Sequence, residues 1–324
     1  ACKVLVDEIS VEINPNAYFI NENLAGSKEE NEMAATGQLN WANINNAGCQ
    51  FAMVYSSESD MNRFYAPKDG GRLWGSTVSY LESHDEQRLA YKQNQWGVAE
   101  IKGKLEPSMA RLGSAAAQMI LAPGAHMIWQ FSEIGNSQNT KNSDGGNNTD
   151  PKIVNWAQFE EAPCKGLYDS YCELIGIRNL NRELFAEDAT FEINCGTSSW
   201  ANGRTLVSKN GSTELYTVVN PNVDNQLTVM VNFDKSDNSF YHILSKSYGS
   251  EPSFSASSKT VTVPANCYVV IGSMDVSSVE SVSDGIFSGL LRAYSVAGEI
   301  MVDSSPSRVV VYGADGRMAG SLEE

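Results

Sequence analysis

An α/β unit followed by an all-β unit is the fold class the sequence predicts, and three observations predict it. Short apolar runs alternate with helical patterns up to residue 188. No helical pattern occurs between Thr190 and Ile271. In that second stretch, turn-forming residues separate runs rich in β-branched and aromatic side chains. The expected organisation is 1–188 as the α/β unit, 189–275 as an antiparallel β-sandwich, and 276–324 as a linker with a short β-rich tail.

Taken in order, Lys3–Ile13 carries Leu5, Ile9 and Ile13 on one helix face. Asn14-Pro15-Asn16 stops that helix, because Pro15 lacks a backbone donor and restricts the residue before it. A strand follows at Ala17–Ile20, and similar apolar runs at Phe51–Tyr55, Thr77–Leu81 and His126–Phe131 read as three more. Between the last two, Pro107–Leu121 sets Met109, Leu112, Ala116, Met119 and Ile120 at helical spacing, with Pro107 in the first turn. Lys165–Leu184 is amphipathic, with Leu167, Tyr171, Leu174 and Ile175 inward. Strands alternating with helices imply parallel pairing and right-handed crossovers, which a doubly wound sheet or half of a closed barrel satisfies equally.

The second stretch reads as strands at Phe191–Ile193, Thr205–Val207, Glu214–Val219, Gln226–Asn232, Tyr241–Leu244, Lys259–Val263 and Tyr268–Ile271. Turns fall at Asn202-Gly203, Asn210-Gly211, Asn220-Pro221-Asn222 and Ser236-Asp237-Asn238. Asp275–Asp284 is polar and Ser-rich, as a linker would be. Beyond it Gly289–Gly320 is again β-rich, with Val309–Tyr312 as its clearest strand.

A formal charge of −16 repels phosphate backbones and anionic lipid, which argues against nucleic acid and membrane surfaces as partners. A neutral polysaccharide meets no such barrier. No apolar run reaches the roughly 18 residues of a membrane span. Six cysteines match no zinc spacing and leave free thiols, disulfides or a mixture open. Cys164 and Cys172 lie about 12 Å apart along one expected helix, too far to bridge. Cys195 and Cys267 would pair if the first and last strands of the sandwich were neighbours.

The expected strand ends carry the polar residues: Glu22 after the first, Glu82-Ser83-His84-Asp85 after the third, Gln130 and Glu133 after the fourth. Carboxylates gathered from separate strand ends suit glycoside hydrolysis, where one stays protonated to donate and others stay ionised to stabilise oxocarbenium charge. A histidine beside an aspartate can hold a sugar hydroxyl. His126 and His242 sit inside apolar strand patterns and read as satisfied structural histidines.

Together these segments resemble the α-amylase family, glycoside hydrolase family 13. Ser79-Tyr80-Leu81-Glu82-Ser83-His84-Asp85-Glu86 looks like the end of that family's seventh barrel strand. Leu121 to Gly135, with Pro123-Gly124 before the strand and Glu133-Ile134-Gly135 after it, looks like the eighth. Leu174-Ile175-Gly176-Ile177-Arg178 resembles the ending of its last barrel helix, and Asn16–Glu22 fits the fifth strand.

The resemblance implies the second half of a (β/α)8 TIM barrel followed by an antiparallel β-sandwich, with an α-glucan as substrate. It implies that Glu22 is the general acid/base, Asp85 the ionised stabiliser of the transition state, and His84 a ligand of a substrate hydroxyl. Ser83 stands where many members have Asn. The family's nucleophile lies in a Gly-x-Arg-x-Asp motif that is absent here, since the sequence opens in the helix after the fourth strand. A retaining enzyme forms its covalent intermediate on that carboxylate, so this chain is expected to be inactive unaided. No cofactor is implied; a calcium requirement is left open for the complete protein. Within the family, branching or transglycosylating enzymes share the same residues, and a non-catalytic glucan-binding protein is a third reading. Ala293–Ile300 and Val309–Arg317 resemble the start of a bacterial type IX sorting tail, which implies secretion to the outer-membrane surface.

Overall fold

The computed structural model describes residues 9, 13–148, 150–152 and 155–278, and the backbone of four strands beyond them. The helix expected over Lys3–Ile13 lies almost wholly outside the described residues.

Four short strands build a parallel sheet in sequential order: β1 (Ile20–Asn21), β2 (Leu39–Asn43), β3 (Thr77–Tyr80) and β4 (Ala125–Met127). Their register sets Asn43 opposite Tyr80 and Tyr80 opposite Met127. Helices α1 (Ser27–Ala34), α2 (Asn45–Met53), α3 (Leu89–Trp96), α4 (Leu105–Ile120) and α5 (Ala162–Leu180) fill the connections. The alternation expected from the sequence is therefore present, with one exchange. Phe51–Tyr55 is not a strand: Phe51 to Met53 end helix α2, and the second strand is Leu39–Asn43. Ala47, Gly48, Cys49, Phe51, Ala52 and Met53 of α2 are all buried, so the run is apolar because it is enclosed. Val54, with φ of 75°, stops it in the left-handed region that β-branched residues avoid.

β5 (Thr190–Asn194), β6 (Arg204–Asn210), β7 (Thr213–Val219), β12 (Tyr268–Ser273) and β9 (Tyr241–Lys246) form an antiparallel sheet in the order β5-β6-β7-β12-β9. A second antiparallel sheet orders β10 (Ser253–Ser255), β11 (Thr260–Val263) and β8 (Leu227–Met230). Tyr216, Val218, Val269 and Ile271 from the first meet Val229, Val261 and Val263 from the second in one apolar layer. Because β6 and β7 separate β5 from β12, Cys195 and Cys267 are not neighbours, and both are free thiols. That corrects the disulfide left open above. Cys49, Cys164 and Cys172 are free as well.

The other face of the five-stranded sheet packs on α4 and α5 through Met109, Leu112, Leu167 and Leu174 against Leu206, Leu215, Tyr268 and Val270. Two fully buried arginines cross this boundary in opposite directions. Arg111 of α4 donates to Pro221 O and Asn266 Oδ1 at 2.9 and 2.8 Å, while Arg204 of β6 donates to Gln118 Oε1 at 3.1 Å and Ser59 O at 2.6 Å. Both guanidiniums lie over the Phe51 ring, at 4.3 and 4.9 Å from its centre. Val276 and Ser277, expected within a linker, are instead held to the compact unit. Val276 is buried, and Ser277 is held by a two-way hydrogen bond to Asn181 at 2.7 and 2.8 Å.

Residues 1–278 form one compact unit and 279–324 another. In the second, β13 (Ala293–Val296) pairs with β14 (Glu299–Val302), and β15 (Arg308–Tyr312) with β16 (Met318–Glu323), all antiparallel.

Candidate active site

In a sheet of this kind the residues just past the strand C-termini share one rim, because parallel strands all end on the same side. Glu22 follows β1 directly and is exposed. His84 and Asp85 follow β3, with side chains 60% and 41% exposed, and His84 Nε2 lies 3.5 Å from Asp85 Oδ2. Two residues that the sequence reading did not single out join them. Trp41 of β2 meets Tyr80 edge-on at 5.4 Å and the His84 ring at 6.2 Å. Asn43, at the end of the same strand, donates to Glu86.

Tyr80 ties these groups together. Burial first, and then the carboxylates of Glu86, Glu22 and Asp85, push its phenol above the ordinary tyrosine range. Glu22 and Asp85 thus come from two different strand ends on the same rim of the sheet.

Local geometry fixes the loop after β3. Ser83 Oγ accepts from Asp85 N at 3.2 Å and donates to the Glu86 carboxylate. The Ser83 hydroxyl therefore serves the turn. Asp85 Oδ1 accepts from Asn147 Nδ2 at 2.5 Å, and Lys141 Nζ donates to Asp85 O.

Glu82, at the same strand end, does different work. Its carboxylate is buried and accepts from Leu89 N at the start of α3 (2.5 Å), from Ser132 Oγ and from Arg88 Nη1 (3.4 Å). Burial pushes this carboxyl up while Arg88 pulls it down. Arg88 in turn lies 3.8 Å over the Trp129 ring and donates to Gln130 O at 3.1 Å. Glu82, Arg88 and Gln130 thus lock β3 to the segment after β4. Glu133 sits in the single helical turn Ser132–Ile134, just past Phe131, whose φ is 67°.

Of the two histidines read as structural, His126 fits. Its Nδ1 and Nε2 lie 2.7 Å from Ser79 Oγ and 2.8 Å from Ala122 O. His242 does not, since its buried Nε2 has no hydrogen-bond partner among the described residues. No group of three His, Cys, Asp or Glu side chains converges as metal ligands among the described residues. No helix among them is long and apolar enough to cross a membrane.

No known protein family's sequence profile and no curated protein matches the chain. Solved structures do. The α-amylase from H. orenii superposes on 84% of this chain and 56% of its own, with 17% identity and a TM-score of 0.58. The fold is that of α-amylase-family enzymes. A GBS pullulanase in complex with maltotetraose matches 84% of this chain and 45% of its own, with 14% identity and a TM-score of 0.62. A Nostoc punctiforme debranching enzyme soaked with acarbose matches 84% and 53%, with 16% identity and a TM-score of 0.52. The chain spans about half the length of these structures.

Proposed function

We propose that this chain is the C-terminal portion of a retaining α-glucan-active glycoside hydrolase. Residues 1–188 are then the second half of the catalytic (β/α)8 barrel, 189–275 the β-sandwich after it, and 276–324 a linker and sorting-like module. One observation carries the reading: within an amylase-type fold, Glu22 follows β1 and His84 and Asp85 follow β3, so parallel strands deliver them to one rim.

On this reading Glu22 protonates the glycosidic oxygen of the leaving sugar, and the carboxylate so formed later activates water by taking a proton from it. Asp85 remains ionised opposite the developing oxocarbenium charge, and His84 holds a ring hydroxyl. Trp41 flanks His84 edge-on. No Gly-x-Arg-x-Asp motif occurs in residues 1–324, so on this reading the nucleophile is supplied from outside them. Ligands seen with the relatives, maltotetraose and acarbose, support an α-glucan partner. The sorting-like tail supports export to a bacterial cell surface, which fractionation of the native host would test.

The test uses the polypeptide that extends this chain upstream through a Gly-x-Arg-x-Asp motif. Glu22→Gln there should lower starch turnover by orders of magnitude at unchanged melting temperature, with α-configured products from the parent seen by proton NMR. Near-normal turnover of the variant, or products of inverted configuration, refutes the assignment. Branched products would favour a transferase of the same family.

A further inference from the structure

We propose that Asn147 and Lys141 are positioning residues that hold the Asp85 carboxylate in one orientation toward the glucan. The inference rests on the reading of Asp85 as a sugar-facing carboxylate, and it adds residues that lie far from it in sequence.

Residues 139–148 form a small hairpin whose mouth is closed by a bridge between Lys141 and Asn147. Its turn is set by Asn142 N to Gly146 O at 2.8 Å and Gly145 N to Asn142 O at 3.0 Å, with Gly145 at φ 86°. The hairpin grips the loop after β3 at three successive residues. Gln87 Nε2 donates to Asn139 Oδ1 at 2.6 Å, and Gln87 Oε1 accepts from Thr140 N at 3.0 Å. Thr140 Oγ1 donates to Glu86 O at 2.8 Å. Lys141 Nζ donates to Asp85 O, and Asn147 Nδ2 to Asp85 Oδ1 at 2.5 Å.

The last two contacts form a relay. The Lys141 ammonium also donates to Asn147 Oδ1, which polarises the amide and strengthens the bond from its nitrogen to the carboxylate. Torsion about an aspartate's terminal bond is otherwise broad, so a carboxylate exposed to 41% would sample many orientations. Here one oxygen is claimed by Asn147, and the other is left on the His84 side, 3.5 Å from Nε2. Pre-orienting that oxygen is what a carboxylate needs in order to face positive charge on a sugar ring without rearranging first. The amide thus holds the Asp85 carboxylate, while the lysine holds that amide and the Asp85 carbonyl.

The test is calorimetric titration of the full chain with two ligands. Acarbose carries a basic nitrogen between rings that can take up a proton; maltotetraose has none. Losing a hydrogen bond to a charged group should weaken acarbose about ten-fold in Asn147→Ala and in Lys141→Met. Maltotetraose affinity should change by less than about two-fold, and Lys141→Arg should restore acarbose binding. A loop with a purely structural role would weaken both ligands together or neither, and either result overturns the proposal. So does a parent chain that binds no acarbose. If Asp85→Asn weakens acarbose while Asn147→Ala and Lys141→Met do not, the positioning role falls and the reading of Asp85 stands. If Asp85→Asn has no effect, the reading of Asp85 falls.

Discussion

His126 makes stability depend on mild acid. Its ring lies half-buried on β4, with Nε2 donating to Ala122 O and Nδ1 accepting from Ser79. Burial, with the Arg178 guanidinium adding to it, pushes its pKa down from 6.5 to about 3. The unfolded chain therefore takes up a proton near pH 6.5 while the folded chain does not. Stability is full above that pH and is lost as pH falls toward 3. At pH 5 the gap is about 1.5 pH units at 1.36 kcal/mol each, or about 2 kcal/mol. Partial exposure of the ring trims this to about 1–2 kcal/mol. Urea unfolding at pH 7.5 and pH 5, compared between the parent and His126→Gln, isolates the histidine from the carboxylates common to both. The parent should lose that much more stability between the two pH values. Equal losses, or a His126 proton resonance that titrates near pH 6 in the folded parent, would show that the ring is free to charge.

Two further expectations concern packing and thiols. Gly135→Ala, at φ 68°, must also push aside the flexible Met109 thioether 2.3 Å away, so it should cost about 2 kcal/mol in urea. Gly145→Ala, at φ 86° but with nothing within 4 Å, should cost only about 1 kcal/mol, and equal costs would remove the packing argument. Burial pushes the Cys49 and Cys195 thiols up to about 12, so iodoacetamide should label half-buried Cys172 first and these two only after denaturation. A Cys195–Cys267 peptide that survives denaturation unlabelled would restore the disulfide.

The strands of the all-β stretch were legible because each alternates or runs apolar between turn residues, as Thr213–Val219 does between Asn210-Gly211 and Asn220-Pro221. Strand β2 was not. Leu39–Asn43 carries two asparagines, and one of them, Asn40, is buried and spends its amide on Glu30 O at 3.2 Å, a contact no local pattern announces. Its neighbour α2 was misread for the opposite reason, since a short helix enclosed on every side has the composition of a buried strand. At the rim, Glu22, His84 and Asp85 could be read from their strand ends. Asn147 could not, because its partner Asp85 lies 62 residues away and only the hairpin's fold brings them together. Trp41 escaped with the strand that carries it.

The crossed arginines bear on how such chains can be recombined. Arg111 lends its donors to the loops of the five-stranded sheet, and Arg204 returns the loan to α4 and the Ser59 loop. A cut at residue 188 would leave each guanidinium facing carbonyls that belong to the other piece. The sheet is therefore no interchangeable cassette: grafting it onto another chain would have to carry α4, Ser59 and the Phe51 ring along.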